Sequence, residues 1–294
     1  MEGQIPEPGY METGKGRIAW WSCCEEGCED RIPAVLIHGG PGDGCDPAKG
    51  PRMGLGRPVY QYDQLGCGMS DPIPDPQAWT AEDYARELDV FLKKNDIGKC
   101  ILIGASWGSG LICKYIEMFG TSRISALVLP SPFLSSEVWI DDMVTNLKSM
   151  DEDTYLRMME CVHGKRSDAE FRDILGEYYA RFLFSKPCNR EIAIESARQG
   201  PNPVFEAMWG PNEMVCTGTL RDFDVTDVLP MIDVPVLYMC GDSDQVTIPT
   251  AIMYRDSTPD SSLAVVPGAG HALSFEQFTI YRECILSFLS DRGL

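Results

Sequence analysis

The feature that most constrains this chain is a five-residue interruption. In KCILIGASWGSGLICKYIEMFG, residues 99–120, an apolar run stops at Gly104-Ala105-Ser106-Trp107-Gly108 and resumes with a different period. Residues 100–103 read as a short buried strand. Leu111, Ile112, Tyr115, Ile116 and Phe119 then recur at the three- and four-residue intervals of one helix face. A serine with glycine two positions to either side therefore sits on the corner between a strand and a helix. That is the setting of a G-x-S-x-G nucleophile elbow, which presents a serine hydroxyl at the edge of a sheet. Ser109, in Gly108-Ser109-Gly110, lacks the offsets.

Similar alternation runs through the flanking chain. Strands are expected over 18–21, 34–38, 59–62, 100–104 and 126–130, with the near-continuous Ile, Leu and Val of a parallel sheet covered on both faces. Residues 80–95, TAEDYARELDVFLKKN, form a helix with Thr80 as N-cap, an acidic first turn and a basic last turn. The fold class is therefore α/β, a doubly wound, mostly parallel sheet. Residues 134–228 break the pattern. Within them 135–162 and 167–184 read as amphipathic helices rich in Met and aromatics, with no strand signal. Strands return over 234–240 and 263–266, and a helix closes the chain over about 275–289. We expect a core made of 1–133 and 229–294 and a helical cap of 134–228, lying over the C-terminal sheet edge where open α/β sheets place their ligands.

At 294 residues the chain is long enough for one large domain with such an insertion. Its formal net charge of −19 argues against nucleic acid or an anionic membrane as partner. The start, MEGQIPEPGYMETGKGRIAWW, is polar and acidic and has neither a basic n-region nor an apolar h-region, so a cytoplasmic location is expected. The twelve cysteines are then expected as thiols, with Cys100, Cys113, Cys240 and Cys284 as small core residues. Cys23, Cys24, Cys28 and Cys45 fit no tetrahedral zinc spacing and have no histidine beside them, so no metal is expected.

If Ser106 is a nucleophile on this architecture, its acid and its histidine should follow it in that order. Of the three histidines, His38 precedes the serine in a glycine-rich turn and His163 falls in the helical block, at its surface. His271, in VVPGAGHALSFEQ, follows a strand and a glycine-rich loop and is the expected general base. VPVLYMCGDSDQVTIP offers Asp242 and Asp244 as the acid; Asp244 is preferred, because Asp242 directly follows the turn glycine and is placed to cap the loop. An oxyanion hole needs two backbone N–H groups. Trp107, the residue after the nucleophile, supplies one, and Gly40 in His38-Gly39-Gly40-Pro41-Gly42 the other.

With these residues in place, the chain resembles the proline iminopeptidase and tricorn-associated aminopeptidase branch of the α/β-hydrolases. The resemblance runs from about residue 34 to the C-terminus through HGGPG, YDQLGCGMSD, GASWGSGL, GPNEMVCTGTLRDFDVTD, GDSDQVTIP and GHALSFE. It implies an α/β-hydrolase core with a helical cap, and Ser106, Asp244 and His271 as the triad. It also implies that Glu213, in G-P-N-E of the cap, pairs with the substrate's free α-ammonium group. The chain departs from the family twice: Gln245 stands where a second glutamate often follows the triad aspartate, and Phe205 where a tyrosine often stands. These changes remove a negative charge and a hydroxyl from the expected substrate site.

Phe205 and Trp209, with Trp107, are candidates for an apolar pocket around a proline or another compact side chain, while Tyr62, Asp63 and Gln64 are expected to stabilise the loop beside the site. The expected activity is that of a serine hydrolase releasing N-terminal residues from short peptides or amino-acid amides through an acyl-enzyme, without cofactor or metal. A monomer or small homo-oligomer would suffice. Two other readings are a small-molecule esterase, lactonase or amidase with the same triad, and a non-catalytic binding protein on a hydrolase scaffold. An aspartate-nucleophile reaction is disfavoured, because the elbow carries serine.

Overall fold

The computed structural model describes residues 7–294; the first six residues of the polar N-terminal segment lie outside it. Its eight strands are β1 (Gly9–Glu12), β2 (Arg17–Cys23), β3 (Ala34–Ile37), β4 (Val59–Tyr62), β5 (Cys100–Gly104), β6 (Ile124–Pro130), β7 (Val236–Gly241) and β8 (Ser261–Val266). They form one sheet in the order β1-β2-β4-β3-β5-β6-β7-β8. β1 pairs antiparallel with β2 and β2 antiparallel with β4, whereas every pairing from β4 to β8 is parallel. Strands β3, β5 and β7 are buried along their whole length, as their unbroken apolar runs require.

Helices cover both faces. α2 (Ala81–Lys94) and α3 (Trp107–Phe119) pack on one side, while α1 (Lys49–Met53) and the C-terminal α11 (Phe278–Asp291) pack on the other. Thr80 caps α2, and its backbone N–H donates to the Asp83 carboxylate at 3.2 Å. Between β6 and β7 come α4 (Ser136–Met150), α5 (Glu152–Val162), α6 (Asp168–Phe182), α7 (Arg190–Gln199) and α8 (Pro203–Met208). α9 (Ile248–Asp256) follows β7, and α10 (Leu273–Glu276) precedes α11. No helix among the described residues is long and apolar enough to cross a membrane.

The expected strands all form, but three features differ from the sequence reading. β1 carries no apolar run because it is an edge strand with Tyr10 about half exposed, so only its pairing to β2 identifies it. The segment 135–162 is two helices: Asp151 ends α4 and caps α5, its carboxylate accepting the Thr154 N–H at 2.8 Å. The closing helix is likewise broken, at Gln277, into α10 and α11.

Candidate active site

Ser106 sits between β5 and α3 with φ +54° and ψ −121°, a conformation rarely adopted by a side-chain-bearing residue. The flanking glycines make this turn sterically possible. A Cβ on Gly104 would lie 2.4 Å from the Gly108 carbonyl oxygen, and one on Gly108 would lie 2.6 Å from the Ile37 carbonyl oxygen of β3. The elbow is thus wedged against the neighbouring strand. Its hydroxyl makes no hydrogen bond with any described residue and lines a cavity of about 860 Å³ at the C-terminal ends of the strands.

His271 lines the same cavity from the loop after β8. Its Nδ1 lies 2.8 Å from Asp244 Oδ1, which can only accept, so Nδ1 carries a proton and the lone pair of the neutral ring falls on Nε2. The Trp139 ring stands edge-on to the imidazole, with centroids 5.3 Å apart. Asp244 is buried and saturated with donors: Oδ2 accepts from Ser131 Oγ at 2.6 Å and Gly241 N–H at 2.9 Å, and Oδ1 also accepts from Val246 N–H at 3.1 Å. Asp242 is exposed and accepts the Gly268 N–H at 2.9 Å, bracing the loop instead.

The loop after β3 approaches the elbow closely. A Cβ on Gly39 would lie 3.5 Å from Ser106 Cβ, and Gly40, at φ +114°, has no room for one because the Gly42 nitrogen would be 2.6 Å away. Neither Gly40 N–H nor Trp107 N–H has a hydrogen-bond partner among the described residues. His38 is a strut in this loop. Its Nδ1–H donates to Gly39 O at 2.8 Å while Nε2 accepts the Gln64 N–H at 3.0 Å, and burial holds its pKa below the ordinary value. Gln64 also accepts from the Trp107 indole at 2.9 Å, and Asp63 accepts the Cys45 and Met69 N–H groups at 2.7 Å each. His163 is exposed.

Glu213 enters the cavity from the loop after α8. Trp209 anchors that loop, its indole donating to the carbonyls of Asn212 and Glu213 at 3.1 Å each. The Glu213 carboxylate accepts from Tyr179 OH at 2.8 Å, and burial pushes its pKa up. Phe205, Trp209 and Gln245 line the cavity as well. Trp107 does not: its ring is fully buried among Tyr84, Phe133 and Phe223, so as a pocket wall it is excluded by packing. Gln245 is buried, and its amide nitrogen has no hydrogen-bond partner among the described residues.

Sequence reading missed several residues that build this site. Ser131 and Tyr179 hold the Asp244 and Glu213 carboxylates, and Asn146 Nδ2 donates to the carbonyls of Asp244 and Gln245 at 3.2 and 2.9 Å. Asp43 adds a second carboxylate to the cavity, and burial raises its pKa too. Only Ser131, a small polar residue just past a strand's C-terminal end, carried a usable signal. The four grouped N-terminal cysteines form no metal cluster among the described residues.

A mostly parallel sheet with a serine elbow at its strand ends defines an α/β-hydrolase-fold protein, and the family model described as alpha/beta hydrolase fold matches residues 33–163. The proline iminopeptidase of Heyndrickxia coagulans is 30% identical over 288 residues, covering 96% of this chain and 98% of that protein. The proline iminopeptidase of Lactobacillus helveticus strain DPC 4571 is 29% identical over 298 residues, covering 99% and 98%. The crystal structure of proline iminopeptidase from Mycobacterium smegmatis superposes with a TM-score of 0.83 at 24% identity, over 97% of this chain and 98% of that one. The chain belongs to the proline iminopeptidase family of hydrolases.

Proposed function

We propose that the protein is a serine aminopeptidase that releases N-terminal proline, or another compact apolar residue, from short peptides. The observation that carries this reading is the delivery of Glu213 from the helical block into the cavity that holds Ser106 and His271. The name shared by the full-length relatives supports it.

In this reading Ser106 Oγ attacks the carbonyl of the N-terminal residue and its proton passes to His271 Nε2. Asp244 stabilises the imidazolium across the 2.8 Å bond to Nδ1. The N–H groups of Trp107 and Gly40 receive the oxyanion, and helix α3 points its N-terminus at the same charge. The tetrahedral intermediate collapses as His271 gives its proton to the leaving amine. Water then repeats the sequence on the acyl-enzyme. Glu213 pairs with the α-ammonium group, Phe205 and Trp209 pack against the side chain, and residues 134–228 act as the cap that limits water in the cleft. A cytoplasmic setting is consistent with twelve unpaired thiols.

The test is kcat/KM on Pro-, Ala- and Phe-p-nitroanilide, their N-acetylated forms, and p-nitrophenyl acetate. Cleavage of the free-amine anilides that collapses on acetylation is expected, with proline ranked first. The neutral Gln245 favours a second reading, a hydrolase of uncharged esters or amides. Ester cleavage with no gain from a free amine would decide for that alternative.

A further inference from the structure

The cavity that holds Ser106 borders a second chamber. The chamber, a cavity of about 410 Å³, shares five wall residues with it, Gly39, Lys49, Ala105, Ser274 and Tyr281. The two ends carry opposite charge. Near Ser106 the ionisable groups include the carboxylates of Asp43 and Glu213. In the second chamber they are Lys49, Arg52 and Asp46, with His38 held neutral.

Lys49 is unusual in a chain with a formal net charge of −19. Among the described residues its ammonium makes no ion pair and no hydrogen bond, although the side chain is half-buried and lines both cavities. Its Nζ lies 5.3 Å from the centroid of the Tyr281 ring. The nearby carboxylate, Asp46, is engaged with Arg52 at 3.8 Å, and the Arg52 guanidinium stacks on Phe278 at 4.5 Å. One positive charge is left in excess. Independently, the Tyr281 hydroxyl is buried with no hydrogen-bond partner among the described residues. A buried hydroxyl and a half-buried ammonium, both without a partner among the described residues and both from side chains that line the chamber, are the two kinds of donor a carboxylate takes. Burial draws the Lys49 ammonium down to about 8 against the opposing pull of Asp46, so at neutral pH it remains mostly charged and gains from an anion.

We propose that Lys49, with Tyr281, binds the free C-terminal carboxylate of a short peptide, so that the cleft reads both ends of a zwitterionic di- or tripeptide. This rests on the aminopeptidase reading above: Glu213 takes the ammonium end, Ser106 the first carbonyl, and the leaving segment runs past Gly39 toward Lys49. An extended di- or tripeptide spans roughly 7–11 Å. The chemistry of the scissile bond is unchanged. What the chamber adds is selection by length and by a free carboxylate.

The experiment compares Pro-Ala and Pro-Ala-Ala with their C-terminal amides, and with Pro-p-nitroanilide, in the wild-type enzyme and in Lys49→Gln and Lys49→Arg. The wild type should prefer at least one free acid over its amide by tenfold or more in kcat/KM. Lys49→Gln should bring that ratio to about one, and Lys49→Arg should keep most of it. A wild-type ratio near one for both lengths overturns the proposal whatever the variants do. So does a Lys49→Gln loss that is equal on acid and amide, which would mark Lys49 as structural. If Pro-p-nitroanilide is cleaved while the ratio is one, only the carboxylate subsite falls. If neither the proline substrates nor Ala- and Phe-p-nitroanilide are cleaved, the aminopeptidase reading falls and takes the subsite with it.

Discussion

Replacing Glu213 by Gln is the sharpest perturbation of substrate recognition available here. The amide keeps the volume of the side chain and an oxygen to accept the Tyr179 OH, which now donates to the carboxylate at 2.8 Å. The fold should therefore be retained, and what disappears is a negative charge in a cleft where burial already raises the carboxyl pKa. Losing one hydrogen bond to a charged group costs about 1.5–3 kcal/mol. At 1.36 kcal/mol per decade that is about tenfold to about 150-fold in kcat/KM. The loss should stay below the roughly 3–5 kcal/mol of a buried ion pair stripped of its sole partner, because the Asp43 carboxylate lines the same cavity. The assay is kcat/KM on Pro-p-nitroanilide beside p-nitrophenyl acetate, which has no amine. A loss confined to the anilide is expected. Equal losses on both substrates would refute the reasoning, since an uncharged ester has nothing for Glu213 to hold.

Ser106→Ala should abolish turnover of anilide and ester alike while leaving the thermal midpoint within a few degrees; normal hydrolysis by the folded variant would remove Ser106 from the chemistry. Glu87 tests the core through pH. Its buried carboxyl, accepting only the Leu65 N–H, is pushed up to about 8 from the ordinary 4.5 by burial. Between those values the unfolded chain ionises while the folded one holds its proton, so stability is full below about pH 4.5 and is lost as pH rises toward 8, by an amount on the order of 3 kcal/mol at pH 7. Glu87→Gln should therefore gain in melting temperature over the wild type as pH rises from 5 to 7, and a difference independent of pH would contradict the assignment.

The parts of the molecule legible in its sequence are those where local pattern and tertiary demand coincide. The change of period across Ser106 marks β5, the turn and α3, because Gly104 and Gly108 are needed by backbone approaches of 2.4 and 2.6 Å. The doubly wound sheet is legible for the same reason, since strands buried on both faces must be apolar at every position. β1 was not, because an edge strand half in water has no such run. At the site, chain order and glycine turns pointed to Ser106, His271 and the loop at Gly40. The supporting groups left no trace. Ser131 meets Asp244 across 113 positions, and Tyr179 meets Glu213 across 34, from a helix whose aromatics look like ordinary core. Lys49 reads as one more surface lysine until the fold places it on a chamber wall with no ion-pair partner among the described residues.

Those long-range contacts bear on what the helical block does. It is bound to both loops that carry Asp244 and His271. From α4, Asp142 accepts the Thr247 N–H and hydroxyl at 3.1 and 2.7 Å, and Asn146 donates to the Asp244 and Gln245 carbonyls. The carbonyls of Phe182 and Leu183, at the end of α6, accept the N–H groups of His271 and Ala272 at 2.7 and 3.0 Å. Glu276 adds a clasp, taking N–H donors from Gly270, Ser185 and Lys186 and the Asn189 amide; burial alone would raise its pKa, and these donors hold it below the ordinary value. α4 and the end of α6 therefore brace the Asp244 and His271 loops. Asn146→Ala tests this bracing. It leaves two buried carbonyls short of a donor, at about 1–3 kcal/mol each, and frees the Asp244 loop without touching the cavity's charge. Its kcat should fall on ester and anilide in parallel, by tenfold or more, with KM little altered. A folded Asn146→Ala enzyme with ester turnover within twofold of the wild type would mean that the loop holds its own shape and that α4 merely covers it.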